Sequence, residues 1–273
     1  MTRPPRRELS LAHLTVLDAT PPELVTVAVA AGFRMVGIRL TATPSVGVPP
    51  YDMLGDTPVL RETLRRLADT GVSVLDVEFL RFEPETPIGI QEGFLEAGAR
   101  LGAKYVLVMS AEPEEARTLD RFGELCDRAA QYGLAVCLEF AIYTGVKTLA
   151  HAARMVKQSG RSNSSILVDA LHFSRSGGLP ADVAQIDPAL FRYAQICDAA
   201  PGMPTEPPEL MREARTGRLL PGEGVLPLAD LVRALPATAT LSVEAPVRAT
   251  AGLPVLERAQ RAYRAMRTLL DNT

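Results

Sequence analysis

Four short apolar runs of the sequence end in a side chain that carries a carboxylate or an amide. These side chains belong to Glu139, Asp169, Gln195 and Glu244. A carboxylate at the end of a buried strand loses its hydration, at a cost in free energy, unless a positive charge compensates it. Three carboxylates and one amide oxygen form a donor set that hard divalent cations prefer. The pattern therefore predicts one divalent metal ion, Mn²⁺ or Mg²⁺ with Co²⁺ and Zn²⁺ as alternatives, held where four strands end.

A divalent ion in such a position has a defined chemical use. A polyhydroxylated or keto substrate can chelate it through two oxygens, which polarises a carbonyl and stabilises the enediolate formed when a neighbouring C–H proton leaves. The sequence therefore favours an enzyme that acts on a small, oxygen-rich substrate.

The four residues belong to a regular alternation of strands and helices. Strands are predicted near residues 13–17, 34–40, 72–79, 104–109, 134–140, 165–170, 192–197 and 240–244. Helices are predicted near 21–31, 58–70, 91–102, 114–131, 147–159, 182–187, 205–215, 227–234 and 253–270. Eight strand–helix units in one chain predict a closed (β/α)₈ TIM barrel of the α/β class, with strand ends that converge on one face.

The predicted organisation is a single domain. Residues 1–10 are interpreted as a flexible N-terminal arm and residues 11–273 as the barrel. The segment 199–223 is the one unusual connection, because it is rich in proline and carries Arg212, Arg215 and Arg218. Its place after the seventh strand favours a lid or binding loop beside the metal, and a solvated helical excursion is the alternative.

Composition excludes several classes of function. A net charge of −3 and the absence of tryptophan disfavour a nucleic-acid partner. No apolar stretch reaches membrane-spanning length, and the three cysteines form no CxxC pair. We expect a cytoplasmic protein with a small-molecule substrate and neither a membrane nor a nucleic-acid partner.

Five motifs, taken in order, resemble those of the xylose isomerase-like TIM-barrel superfamily, the sugar phosphate isomerases and epimerases. The resemblance covers about residues 11–269. The motifs are Leu138-Glu139-Phe140, Asp169-Ala170-Leu171-His172, Gln195-Ile196-Cys197-Asp198, Leu220-Pro221-Gly222-Glu223-Gly224 and Val243-Glu244.

The resemblance implies a role for each matching residue. Glu139 and Glu244 correspond to the acid/base pair of the family's epimerases, and His172 to a residue that contacts a substrate oxygen. Asp198 and Arg218 match the family's segment between the seventh strand and the glycine-rich turn, which implies substrate binding. For Arg218 the implied contact is a substrate oxygen or carboxylate, and an ion pair with Glu223 or another acid of the loop is the alternative. The implied metal ligands are Glu139, Asp169, Gln195 and Glu244.

Gln195 departs from the family's ketose epimerases, in which histidine is the common third ligand. Some dehydratase-like relatives, which act on cyclic keto-polyols or on dehydroshikimate, share this departure. The resemblance thus implies a metal-dependent isomerase or epimerase that works through an enediolate, with a metal-dependent dehydratase as the alternative.

Weaker candidates lie at other predicted strand ends. Glu78 ends the third strand and Arg39 the second, so both are candidate substrate-binding residues, with a salt bridge at the barrel rim as the alternative for each. Tyr143 follows the fifth strand and is placed to roof the site. His13 is predicted to lie at the start of the first strand, away from the site.

Two other functional classes remain open on this fold. DNA-repair endonucleases share the barrel but use many histidines, and this chain has three. A non-catalytic binding protein is the second alternative, because fold alone does not determine function. By analogy with relatives, a homodimer is also an expectation.

Overall fold

A computed structural model describes residues 7–42, 50–85 and 92–273. Residues 1–6 of the predicted N-terminal arm lie outside the described residues. Arg7 already contacts the barrel, since its guanidinium donates to the carbonyls of Val232 and Leu235.

In the described part of the chain, eight parallel strands close into a barrel in sequence order. The strands are β1 Leu9–Leu11, β2 Met35–Arg39, β3 Ser73–Phe82, β4 Tyr105–Ser110, β5 Ala135–Glu139, β6 Ser164–Asp169, β7 Phe191–Ile196 and β8 Thr240–Val243. β1 pairs with β8, which leaves no free sheet edge. The predicted (β/α)₈ barrel is confirmed.

Helices follow the strands and cover the outside of the barrel. They are α1 Pro21–Ala31, α2 Pro58–Thr70, α3 Glu92–Arg100, α4 Glu115–Gln131, α5 Leu149–Ser159, α6 Ala170–Arg175, α7 Pro180–Val183, α8 Pro207–Thr216, α9 Leu228–Ala234 and α10 Val255–Asp271. Within the described ranges, none of these helices is both long and apolar enough to cross a membrane.

Local sequence signals explain where several helices begin and end. Thr57 caps α2 by accepting a hydrogen bond from the backbone N–H of Leu60 at 3.2 Å, and Pro58 occupies the first turn. Gly71 ends the helix with a φ of 69°, a left-handed conformation that glycine adopts without strain. Because these signals are local, the predicted bounds of α1 and α2 match the structure.

The prediction for the first strand is wrong. Residues 13–17 are not a strand: His13–Val16 form a 3₁₀ helix, and the strand is Leu9–Leu11. Ser10 of that strand lies in register between Met35 and Ser242. The barrel therefore includes residues that were predicted to belong to the flexible arm. His13 lies just beyond the C-terminal end of β1, not at its start.

Two further differences lie after β6. The predicted helix at 182–187 is the shorter α7, and α6 was not predicted. α6 begins at once because the carboxylate of Asp169 accepts the backbone N–H of His172 at 2.9 Å, which caps the first turn.

Two sets of apolar side chains hold the barrel together. The larger core lies between the strands and the helices. A smaller cluster of alternate strand residues fills the barrel interior, as expected for a packed (β/α)₈ core; it contains Met35, Leu75, Leu107, Cys137, Leu167 and Tyr193. These residues form the floor beneath the C-terminal face.

Candidate metal and acid/base site

The structure brings the four predicted ligand residues to adjacent strand ends at one face of the barrel. Glu139 ends β5, Asp169 ends β6, Gln195 lies near the end of β7, and Glu244 directly follows β8. Asp169 is in register with Gln195. All four side chains are buried. Their positions follow from the parallel barrel, in which every strand ends on the same face.

Arg218 lies among these acids, fully buried. Its guanidinium donates to Asp169 and lies 3.1 Å from Oε2 of Glu244, while its Nε donates to the carbonyl of Ala214 in α8 at 2.8 Å. The charge of Arg218 and the backbone N–H of His172 outweigh the burial of Asp169 and hold the pKa of that carboxyl below its usual value. Asp169 is therefore ionised at neutral pH.

The pKa values of Glu139 and Glu244 are shifted in the opposite direction. Burial raises the pKa of Glu139 well above its usual value, and the negative charges of Asp169 and Glu244 add to the rise. Burial also raises the pKa of Glu244 to about 8, although Arg218 acts against the increase. The two carboxyls differ in their contacts: Glu244 accepts the Gln195 amide at 3.0 Å and faces Arg218, whereas Glu139 has no hydrogen-bond partner among the described residues.

His172 lies beside Glu139, with 3.8 Å between its Nε2 and Oε1 of the carboxylate. Burial lowers the pKa of the imidazole to about 4, so the ring is neutral at pH 7. Tyr143 packs edge-on against the ring, with 5.6 Å between the centroids. A neutral imidazole in this position can donate one hydrogen bond to a substrate oxygen or accept one from a substrate hydroxyl.

The residues present fit a divalent metal ion. Single ligand atoms of Glu139, Asp169 and His172 lie within 4.8 Å of one another, so His172 joins the predicted set. The amide oxygen of Gln195 is buried with no hydrogen-bond partner among the described residues, as expected of a group that awaits a ligand. When all three carboxylates are ionised, the single positive charge of Arg218 leaves two negative charges uncompensated, which a divalent cation would balance.

A cavity of about 100 Å³ opens above the acids. It is large enough for several water molecules or part of a small substrate. Polar lining groups come from Glu139, His172, Arg218 and Glu244, and apolar ones from Leu107 and Met109 among others. The predicted catalytic residues therefore share one cavity, while their roles stay predictions.

A second group of acids lies on the opposite wall. The carboxylate of Glu78 lies 3.3 Å from Nε of Arg39, so the predicted rim salt bridge is present. Both residues also line the cavity, so their contact with substrate stays a prediction. Asp76 accepts the hydroxyl of Tyr193 at 3.1 Å. Burial raises the pKa of both Asp76 and Glu78.

Gly37 makes this arrangement of acids sterically feasible. A Cβ on Gly37 would lie 2.7 Å from a carboxylate oxygen of both Asp76 and Glu78. The His13 ring supports the same strand end, because its Nδ1 accepts the backbone N–H of Arg39 at 3.1 Å.

Asp198 occupies a different position from the one the motif implied. Its carboxylate accepts the backbone N–H groups of Ala199, Gly222 and Leu226 at 2.9 to 3.0 Å and is absent from the cavity lining. Asp198 thus organises the turn that follows Arg218, and it does not face the cavity.

Several residues of this face were not predicted from the sequence. Met211 of α8 lines the cavity, and Arg248, after β8, lies beside it. Arg248 follows the Val243-Glu244 motif by four residues. A search for basic residues just after the strands that carry the predicted metal ligands would have found it.

Comparisons with known proteins agree on the fold. A protein-family model described as xylose isomerase-like TIM barrel matches residues 25–270. No curated protein matches the chain by sequence.

Solved structures of similar fold cover nearly the whole chain. The IolI protein with a bound zinc atom is 22% identical with a TM-score of 0.81, and the alignment covers 97% of this chain and 98% of that one. The probable 3-DHS dehydratase AsbF from Bacillus anthracis is 17% identical with a TM-score of 0.74, covering 95% and 98%. A D-allulose 3-epimerase from Methylomonas sp. is 15% identical with a TM-score of 0.70, covering 98% and 100%. At these identities the similarity establishes the fold alone.

Proposed function

The chain belongs to the xylose isomerase-like TIM-barrel family, and we propose that it is a divalent-metal-dependent isomerase or epimerase of a small polyhydroxylated carbonyl compound. One observation carries the proposal. Glu139 is a buried carboxyl at the cavity with a raised pKa and no hydrogen-bond partner among the described residues, beside a neutral His172. A carboxylate of raised pKa is a stronger base, which suits removal of a proton from carbon.

The chain's own residues account for most of the steps. Glu139, Asp169, Gln195 and Glu244 would hold the metal, with His172 also within reach. When bound, a divalent cation would polarise the substrate carbonyl and stabilise an adjacent carbanion. Glu139 takes the α-proton and returns it to the neighbouring carbon, and His172 hydrogen-bonds to a substrate oxygen and moves the hydroxyl proton.

The contacts of Glu244 favour a mechanism in which Glu139 is the single base over one in which Glu139 and Glu244 both exchange protons with the substrate. Its carboxylate oxygens face the Gln195 amide and the Arg218 guanidinium, so Glu244 is held in place, while Glu139 is free to exchange a proton. Isomerisation between neighbouring carbons needs one base on one face of the substrate. A two-base epimerisation would require Glu244 to give up one of these contacts.

Exchange of the α-proton with solvent tests this proposal directly. Protein loaded with Mn²⁺ is incubated in D₂O with a panel of ketoses, aldoses and inososes, and deuterium incorporation is followed by ¹H NMR. We expect incorporation with at least one substrate, and a loss of roughly 10³-fold or more in Glu139→Gln, because the base is gone. Glu124→Gln, the same change at a half-buried position of α4 outside the cavity, serves as the matched control. Absence of exchange throughout the panel, or exchange that survives in Glu139→Gln, would contradict the proposal.

A second candidate is a metal-dependent dehydratase. The buried Gln195 at the third ligand position and the immobilised Glu244 favour it, since elimination of water also needs one base. Glu139 takes the α-proton and then returns it to the β-hydroxyl, which leaves as water, while the neutral His172 hydrogen-bonds to a substrate oxygen. Cyclic hydroxylated keto acids are the test substrates, and a conjugated enone would appear as new ultraviolet absorbance. Isomerised product without absorbance favours the first candidate, and absorbance favours the second.

A further inference from the structure

A second concave region adjoins the cavity on the same face of the barrel. It is a cleft of about 400 Å³, here called the side cleft, with walls that include Leu14, Asp18, Arg215, Pro246 and Arg248. Leu14 and Arg215 also line the catalytic cavity. The two spaces therefore meet along these two residues, and a molecule longer than the cavity would extend into the side cleft.

The side cleft carries positive charge that no group among the described residues balances. Arg215 and Arg248 are exposed, and neither makes a hydrogen bond or ion pair with the described parts of the chain. Asp18, the one acid among the described lining residues, is bound to Arg258.

Two neighbouring arginines, in contrast, form ion pairs with acids of α8. Arg212, one turn before Arg215 in α8, is paired with Glu209 at 2.7 Å. Arg175 of α6 is paired with Glu213 of α8 at 2.7 Å. The acids of α8 are thus committed elsewhere, which leaves Arg215 available.

Arg215 also borders the catalytic cavity. It lines that cavity together with Tyr143 and His172. The guanidinium therefore lies on the side of α8 that faces the catalytic groups, while Arg248 lies in the side cleft away from them.

We propose that the side cleft binds an oxyanion, a carboxylate or phosphate group, carried by the substrate on a part remote from its reacting carbon. Arginine suits this role because its planar fork donates two parallel hydrogen bonds to such a group. The inference rests on the proposed function for the identity of the bound molecule as a substrate, but not for the binding of the anion. It restricts the substrate to an acidic or phosphorylated polyhydroxy compound.

Anion binding is measured without turnover. The protein has no tryptophan, so calorimetry replaces intrinsic tryptophan fluorescence. Inorganic phosphate and succinate are titrated separately into wild-type protein and into the Arg215→Ala and Arg248→Ala variants. Arg264→Ala is the matched control, since Arg264 is also exposed and without a partner among the described residues but lies on α10 outside the cleft.

We expect saturable binding of at least one probe, a loss of affinity of roughly tenfold in each cleft variant, and less than twofold in the control. Binding of phosphate alone identifies a phosphorylated substrate, and binding of succinate alone a carboxylated one. Either outcome sustains the proposal. No saturable binding of either probe, or equal affinity in wild type and both cleft variants, would overturn it.

The same titration in Glu139→Gln separates this inference from the proposed function. Anion binding that persists in a variant without proton exchange shows that the subsite stands on its own. If instead proton exchange occurs and both cleft variants bind the anion as tightly as wild type, the proposed function holds and the proposed anion subsite is wrong.

Discussion

At the scale of single residues, the site depends on how buried charges compensate one another. Arg218 holds the pKa of Asp169 below its usual value, while burial and neighbouring carboxylates raise the pKa of Glu139 and of Glu244. Arg218 is thus a permanent cation within a predicted metal site. A buried charge left without its partner is strongly destabilising, whereas the pair itself is worth little.

Replacement of Arg218 by Met tests this balance. We expect Arg218→Met to lower the free energy of unfolding of metal-free protein by about 3–5 kcal/mol, because Asp169 and Glu244 lose their counter-charge. Added Mn²⁺ should then raise the melting temperature of the variant more than that of wild type. Thermal melts with chelator and with Mn²⁺ measure both effects, and Arg218→Lys, which keeps the charge, should fall between. Equal stability of Arg218→Met and wild type would argue against this role.

At the scale of elements, the strand ends determine which side chains meet, and the segments after them determine how those side chains are held. β2 and β3 place Gly37 beside Asp76 and Glu78, so that a glycine in one strand makes room for two acids of its neighbour. α8 contributes the carbonyl of Ala214 that fixes Arg218. The turn organised by Asp198 completes the same connection.

Gly37→Ala should disturb this wall without touching the catalytic residues. The new methyl group would meet two carboxylate oxygens at 2.7 Å, closer than van der Waals contact. We expect a loss of about 1–3 kcal/mol in the free energy of unfolding, measured by urea denaturation. Gly93→Ala in α3 is the control, because nothing lies within 4 Å of its Cβ and alanine favours helix. A Gly37→Ala protein as stable as wild type would mean that β2 and β3 can shift apart.

At the scale of the whole molecule, folding changes the number of bound protons. His13 and His172 are both buried with pKa values of about 4, below the ordinary value of 6.5, so unfolding at mildly acidic pH takes up a proton at each. The buried carboxyls with raised pKa act in the opposite direction. The contribution of one group to the pH dependence of stability is therefore measured as the difference between wild type and a variant that lacks that group.

His13 is suitable because it lies apart from the proposed ligands. Its Nδ1 accepts the Arg39 N–H, and Nε2 lies 2.9 Å from the Ala19 carbonyl, to which it must donate. His13→Gln keeps both types of hydrogen bond without a titrating group. We expect the stability of wild type relative to this variant to fall as the pH drops from about 6.5 to 4, by up to about 3 kcal/mol. Urea denaturation at pH 7, 5.5 and 4.5 measures the difference; a constant difference would show that His13 is not kept neutral.

The order of strands and helices could be predicted from the sequence because its signals are local. Apolar runs, helix caps and glycines specify β2 to β8 and most helices to within a few residues. The same runs identified Glu139, Asp169, Gln195 and Glu244, since parallel strands must end on one face of a barrel. The first strand was misplaced because its three residues are too few to give a periodic pattern.

Only the tertiary structure decided which charges pair. Arg218 is 49 residues from Asp169 in the sequence and 26 from Glu244, yet its guanidinium contacts both. Asp198 has the same residue type and a similar strand-end position, but it binds backbone N–H groups of a turn. Arg215 has no hydrogen-bond or ion-pair partner in the described part of the chain, although it is only three residues from Arg218. Periodicity is a local property that the sequence carries, whereas the partner of a buried charge depends on packing between segments distant along the chain, which only the folded barrel brings together.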